Sequence, residues 1–338
     1  DIYLPPKILI RKTGTGIRAV VDYHGYYVIQ VIYILLKKDT CPFNLEYFVA
    51  ILNSSLMNFY YFEKFGEKEK KTFPHLRQTH ILSLPIKHPP NNLEAKITKF
   101  VKELISYKQS RIKFLEVWER WSTALKNYAC SLYELLLKDA QVMRVGEFDK
   151  VWTSKATFYQ PENEILRKTF KDFKIRGNED KNVITIYGLD ENNKEQLIYE
   201  LEFSYRDLML HVYCSLVQAL EVKSKIRTLF QLLTRTVIPM IKEVNRNTNE
   251  LTPNIVRKAK VEFNEWVKEQ KIEGLEADIV KIDNKIEDLE ATIDALVFKV
   301  YELKEDEIKT VFDSLKTPMI YREKVLKCFR KIEGLTNV

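Results

Sequence analysis

Near its amino end the chain carries three runs rich in Val, Ile and Tyr: KILIRK (7–12), IRAVVDY (17–23) and YYVIQVIYILL (26–36). β-Branched and aromatic residues in short runs bounded by turn residues predict strands. A Thr13-Gly14-Thr15-Gly16 bend separates the first two runs, and a His24-Gly25 bend separates the second from the third. The period then changes. In NLEYFVAILNSSLMNFYYFEKF (44–65), Leu45, Phe48, Val49, Leu52, Leu56 and Phe59 recur at the spacing of one helix face. A polar loop, GEKEKKTFPHLRQTH (66–80), and a short apolar segment, ILSLPI (81–86), lead to Pro89-Pro90. The pattern predicts a small α/β domain over residues 1–92.

Beyond the prolines, NLEAKITKFVKELISYKQSRIKFLEVW (92–118) carries a helical stripe of Leu93, Ile97, Phe100, Leu104, Tyr107 and Phe114. Residues 119–175 read as more helix with loops. KNVITIY (181–187) and QLIYELEF (196–203) alternate at period two around GLDENNKE and predict a β-hairpin. Helices resume over 205–245, with RDLMLHVYCSLVQALEVKSKIRTLF (206–230) reading as one continuous helix, and again in RKAKVEFNEWVKEQ (257–270). The clearest periodicity comes last: Leu275, Ile282, Leu289 and Leu296 repeat every seven residues, as do Ile279, Ile286, Ile293 and Val300. Two interleaved apolar sevens make a coiled-coil seam. Its partner is either the stripe of 93–118, antiparallel in the same chain, or a second copy.

The fold class is therefore α+β. Residues 1–92 form the α/β domain, 93–145 a long spacer helix with a helical continuation, and 146–205 an inserted subdomain with the hairpin. Residues 206–338 form a helical domain that includes a coiled-coil helix at 275–303. Charge sharpens this division. The whole chain of 338 residues has a net charge of +7, yet residues 1–92 alone hold twelve Lys or Arg against seven Asp or Glu. A basic segment favours a polyanion as partner. Cys41, Cys130, Cys214 and Cys328 make no metal-binding spacing, and scattered thiols fit a reduced, cytoplasmic protein. The longest apolar run, VIQVIYILL (28–36), is far shorter than the about 20 residues that span a bilayer, so no membrane is expected as partner. The first residue is Asp rather than Met, which reads as a piece of a longer polypeptide.

Candidate chemistry concentrates in the basic domain. Lys7, Arg11, Lys12 and Arg18 surround the Thr13–Gly16 bend. A phosphate-binding loop would open a helix, whereas this bend runs into a strand-like segment. A plain hairpin with solvated flanks is the simplest reading. The sharper one lays backbone N–H groups, the hydroxyls of Thr13 and Thr15 and the cations Lys7, Arg11, Lys12 and Arg18 along a phosphodiester backbone. A second cluster holds Lys68, Lys70, Lys71, His75, Arg77 and Gln78, interleaved with Phe65 and Phe73. Lysines attract phosphates without regard to sequence. Arg and Gln match the edges of guanine and adenine in the major groove, so Arg77 and Gln78 are the best candidates for reading bases. Catalytic motifs are scarce: no Asn/Asp-Pro-Pro-Tyr/Phe, GxSxG or HExxH occurs. Asp207 with Glu221-Val222-Lys223 fits the loose D…ExK pattern of metal-dependent nucleases, but in a helical segment it reads as surface charge.

The run YFVAILNSSLMNFYYFEKFGEKEKKTFPHLRQTHILSLPI resembles the TaqI-like C-terminal target-recognition domain. That module occurs in adenine-specific DNA methyltransferases and in type IIG restriction–modification enzymes. The matching elements are Arg11 on a basic strand, Ile51-Leu52-Asn53-Ser54, Gly66 and Leu84-Pro85-Ile86. ATIDALVFKVYELKEDEIKTV (291–311) is similar to the family's closing helix through Ile293, Asp294, Val297, Tyr301, Leu303 and Glu307-Ile308. The resemblance implies a module that reads double-stranded DNA and delivers an adenine to a methyltransferase domain of the same parent polypeptide. S-adenosylmethionine, and Mg2+ if the parent also cleaves, would bind there; no cofactor and no catalysis are expected of this chain itself. Two other classes compete: a type I restriction specificity subunit, which would need a second recognition module, and an independent nuclease using Asp207, Glu221 and Lys223. A helical assembly scaffold, to which DNA is irrelevant, is a third.

Overall fold

The computed structural model describes residues 2–14, 16–65, 76–90, 92–124, 129–133, 163–203, 206–221, 225–239, 263–269 and 278–336. In chain order the elements are β1 (Lys7–Arg11), β2 (Ala19–Asp22), β3 (Ile32–Leu35), α1 (Leu45–Asn53), α2 (Ser55–Phe65), α3 (Gln78–Leu82), α4 (Leu93–Ala124), β4 (Ala129–Ser131) and α5 (Asn163–Arg167). There follow β5 (Asp172–Asn178), β6 (Val183–Leu189), β7 (Glu195–Glu202), α6 (Arg206–Glu221), α7 (Leu229–Arg235) and β8 (Val237–Pro239). Then come α8 (263–269), α9 (Ile279–Val300), α10 (Glu305–Leu315) and α11 (Met319–Thr336). The fold is α+β, in two compact units. One unit joins Asp1–Ser106 to Ile286–Val338, and the other is Tyr107–Lys285. The closing helices thus share a unit with the amino-terminal segment.

In the first unit β1 is the central strand, with β2 and β3 antiparallel on either side. Residues 23–31 are not the first half of a long third strand, as their Val/Ile/Tyr content predicts. The Asp22 carboxylate accepts hydrogen bonds from the backbone N–H groups of His24, Gly25 and Tyr26 at 2.8, 3.0 and 2.8 Å. That turns the chain away, and pairing resumes only at Ile32, opposite Arg11. The single helix expected over 44–65 is two helices broken at Ser54. Ser54 has extended backbone, and its hydroxyl donates to the Ile51 carbonyl at 2.7 Å while accepting from the Met57 N–H at 3.1 Å. One residue therefore closes α1 and caps α2.

Ile8, Ile10 and Ile17 bury against Tyr47 and Ile51 of α1, Met57 of α2, Ile97 and Val101 of α4, and Ile293, Leu296, Val297 and Val300 of α9. A second stripe of α9, Ala291, Ala295 and Phe298, packs with Ile308 and Phe312 of α10 and with Val325 and Phe329 of α11. The heptad positions Ile293, Leu296 and Val300 are thus on one of two buried faces of this helix. Leu275 lies outside the described residues.

In the second unit β5, β6 and β7 form an antiparallel meander. The expected hairpin is β6–β7; β5 is a strand that DFKIRGN, with five polar or glycine residues in seven, does not announce. The helix expected to run through 206–230 stops at Glu221. The next helix begins after Thr228, whose hydroxyl accepts from the Gln231 N–H at 3.1 Å. β8 then pairs with β4. Trp118, Trp121, Phe263 and His211 pack ring against ring. The His211 Nε2 bonds the Pro239 carbonyl at 2.8 Å, and burial pushes its pKa down to about 4, so the imidazole is neutral. Among the described residues no helix is long and apolar enough to cross a membrane.

Candidate nucleic-acid interface

The β1–β2 turn is closed by a hydrogen bond from the Arg11 N–H to the Arg18 carbonyl at 3.1 Å. Gly14 and Gly16 take φ values of +107° and +72°, in the left-handed region that favours glycine. Space as well as torsion excludes a side chain here. A Cβ on Gly14 would lie 2.5 Å from Nη2 of Arg11, whose guanidinium crosses the turn, and a Cβ on Gly16 would lie 2.4 Å from Oδ1 of Asn58. The turn connects two antiparallel strands and opens no helix, so it offers a mononucleotide no helix N-terminus.

The described end of the second basic cluster, Arg77 and Gln78, follows a residue bonded to this turn. The Leu76 N–H donates to the Lys12 carbonyl at 2.7 Å, which places Arg77 and Gln78 immediately beyond a backbone link to the turn. Arg11, Arg18, Arg77 and Gln78 are exposed, and Lys12 holds its ammonium 4.4 Å from the centroid of the Tyr33 ring. Arg322 and Arg330, the other arginines of this unit, are engaged by Asp313 and Glu305. By contrast, the guanidinium groups of Arg11, Arg18 and Arg77 have no hydrogen bond or ion pair among the described residues. Three unengaged guanidinium groups are thus joined through two backbone hydrogen bonds at one turn. Thr13 is half-buried in the same turn. Thr15, Lys68, Lys70, Lys71 and His75 lie outside the described residues.

Lys7 does not belong to this set. It is fully buried, with Nζ 2.6 Å from Asp22 and 2.7 Å from the Tyr3 carbonyl that it donates to. An ammonium already neutralised in the interior is not available to a phosphate. Register explains the error: Lys7 faces Asp22 across β1–β2, and a hairpin centred on residues 14–15 already pairs positions 7 and 22.

Of the residues quoted for the resemblance, Asn53, Pro85, Asp294 and Tyr301 are architectural. The Asn53 amide accepts from the Ala19 N–H and donates to the Ala19 carbonyl, both at 2.8 Å. Asn58, which sequence reasoning missed, accepts from the Ile17 N–H at 2.8 Å and donates to the Ser54 carbonyl at 3.0 Å. Asp294, from the closing helix, accepts from the Ser55 N–H and hydroxyl at 2.9 and 2.6 Å and from the Tyr321 hydroxyl at 3.0 Å. Burial raises its pKa, and these hydrogen bonds oppose the rise. The Tyr301 hydroxyl donates to the Pro85 carbonyl at 2.6 Å. The Leu-Asn-Ser, Leu-Pro-Ile and Ile-Asp elements therefore bind one another and the sheet.

Of the nuclease-like pattern only the Glu221 side chain is described. Glu221 accepts from Arg111 Nη1 at 2.8 Å at the end of a helix; Lys223 lies outside the described residues, as does the side chain of Asp207. Among the described residues no three His, Cys, Asp or Glu side chains group as metal ligands.

No curated protein and no solved structure matches the chain. Residues 1–86 match the family model of the TaqI-like C-terminal specificity domain, a likeness that points to DNA sequence recognition in restriction–modification systems.

Proposed function

We propose that the chain reads a short sequence in double-stranded DNA and presents it to an adenine methyltransferase domain of the same parent polypeptide. Arg11, Lys12, Thr13, Thr15 and Arg18 bind phosphates and set the register. Arg77 and Gln78 reach base edges in the major groove, flanked by Lys68, Lys70, Lys71 and His75. The observation that carries this reading is the set of three guanidinium groups, unengaged among the described residues, linked at the glycine turn within the segment that matches the specificity family. S-adenosylmethionine belongs to the partner domain, which flips the adenine out of the duplex. A type I specificity subunit would need a second recognition module. The second unit's sheet has strand order β5-β6-β7, unlike the central-first order β2-β1-β3, and offers no copy of it among the described residues.

The test is selection from a randomised duplex pool followed by salt titration of the recovered sequence. Arg11→Ala and Lys71→Ala weaken binding to every sequence and lower the salt slope by about one charge each. Arg77→Ala or Gln78→Ala relaxes preference at one base pair by about 1–3 kcal/mol. If all four variants behave alike, the division between positioning and reading residues is wrong.

A further inference from the structure

We infer that Asn53 and Asn58 are positioning residues for DNA recognition: they hold the backbone of Ile17 and Ala19 and thereby fix the pose in which Arg11 and Arg18 are presented. The inference rests on the DNA-reading role proposed above and adds the device that makes the turn rigid. β2 is an edge strand. The backbone of Arg18 faces β1, so that of Ala19 faces outward, where an edge would ordinarily be solvated or would pair with another strand. Asn53 occupies that edge with both ends of its amide, as a strand residue would.

Asn58 extends the clamp into the turn. Its Oδ1 takes the N–H of Ile17, a fully buried residue, and its Nδ2 is anchored to the carbonyls of Asn53 and Ser54 at 3.3 and 3.0 Å. These partners dictate which end of each amide is oxygen. Gly16 lies so close to Asn58 Oδ1 that no Cβ fits between them. Arg11 and Arg18 flank the turn, and the Arg11 guanidinium rests across Gly14 in space that a methyl group would take. Pre-ordered donors bind with a smaller loss of side-chain and loop freedom. The two asparagines therefore act through the arginines and touch no DNA themselves.

A double-mutant cycle on the full chain tests this, using a labelled mixed-sequence duplex as probe, with salt titration and thermal unfolding on each variant. Asn58→Ala is expected to weaken binding about tenfold, the scale of coupling within one network, and to lower the salt slope as the loss of an arginine contact does. Introduced into Arg11→Ala/Arg18→Ala, the same change costs less than about twofold. Equal losses in both backgrounds, or an unchanged salt slope, would reduce Asn58 to a general stabiliser and overturn the inference. If Asn58→Ala does not fold, Asn53→Ala, which releases the Ala19 backbone instead, takes its place in the cycle; the same two outcomes decide. Failure of the unaltered chain to bind the duplex is a separate result, and it overturns the DNA-reading role itself.

Discussion

Lys7 and Arg11 sit four residues apart on one strand, and alternation puts both on the same face of the sheet. Their fates differ because of what lies opposite. Arg11 projects at the turn end, whereas Lys7 is enclosed by Asp22 and Tyr3. For Asp22, burial works to raise the carboxyl pKa, and Lys7 with three backbone N–H groups outweighs it and holds the value below normal. Its contribution to stability is thus present above the unfolded-state pKa and is lost as pH falls through the lowered one. Breaking a buried pair by removing one partner costs about 3–5 kcal/mol. Asp22→Ala should cost more than Lys7→Met, because it strands an ammonium and three N–H donors at once. Lys7→Met should lower the denaturant midpoint yet leave the salt slope of duplex binding where it was. A slope that falls by about one charge, as for a phosphate contact, would return Lys7 to the interface. Local composition made both residues look alike, and only strand register separates them.

Among the elements, helices with a clean apolar stripe were legible in outline, and their interruptions were not. The period through 44–65 survives the break at Ser54 because both helices bury into the same core; the signal for the break was the Asn-Ser-Ser run itself, whose side chains compete for backbone groups. β5 is not announced by its sequence because its outward positions include Lys174 and Arg176, and Arg176 is paired with Glu195 and lies over the Tyr187 ring. The closing helix shows how distant elements complete one another. Asp294 of α9 accepts from the first N–H and the first hydroxyl of α2, a capping role supplied from 239 residues away. Asp294→Ala would leave those donors and the Tyr321 hydroxyl without a partner, and an unsatisfied buried group costs about 1–3 kcal/mol. Asp294→Asn keeps an acceptor for the Ser55 N–H and removes the buried charge. Because burial raises the folded-state pKa of Asp294, the unfolded chain loses that proton first as pH rises. The native protein should therefore lose stability relative to Asp294→Asn between the ordinary carboxylate pKa and the raised one. Denaturant unfolding of both across that window checks the sign; a difference that does not vary with pH would mean that Asp294 is not titrating in a buried site.

For the molecule as a whole, the segment that matches the specificity family ends at residue 86, yet the core that supports it does not. Ile97 and Val101 from α4 and Ile293, Leu296, Val297 and Val300 from α9 are buried in the core that also holds β1 and α1. At about 1.5–3 kcal/mol for each buried aliphatic side chain, their removal is comparable with the whole of the about 5–15 kcal/mol by which a domain is stable. The turn that presents Arg11 and Arg18 is clamped from the α1–α2 junction, and α2 in turn is capped by Asp294, so the same loss reaches the interface. A fragment of residues 1–92 should accordingly melt without a cooperative transition, bind a hydrophobic dye and fail to bind duplex DNA. Asp1–Ser106 joined to Ile286–Val338 by a flexible glycine-serine linker should unfold cooperatively and retain the duplex affinity of the full chain. That outcome was beyond the linear pattern of the sequence: periodicity identifies a buried stripe in α9 but not which of its two faces meets the recognition domain. Cooperative unfolding and full affinity in the 1–92 fragment would show that the closing helices are dispensable to the recognition domain.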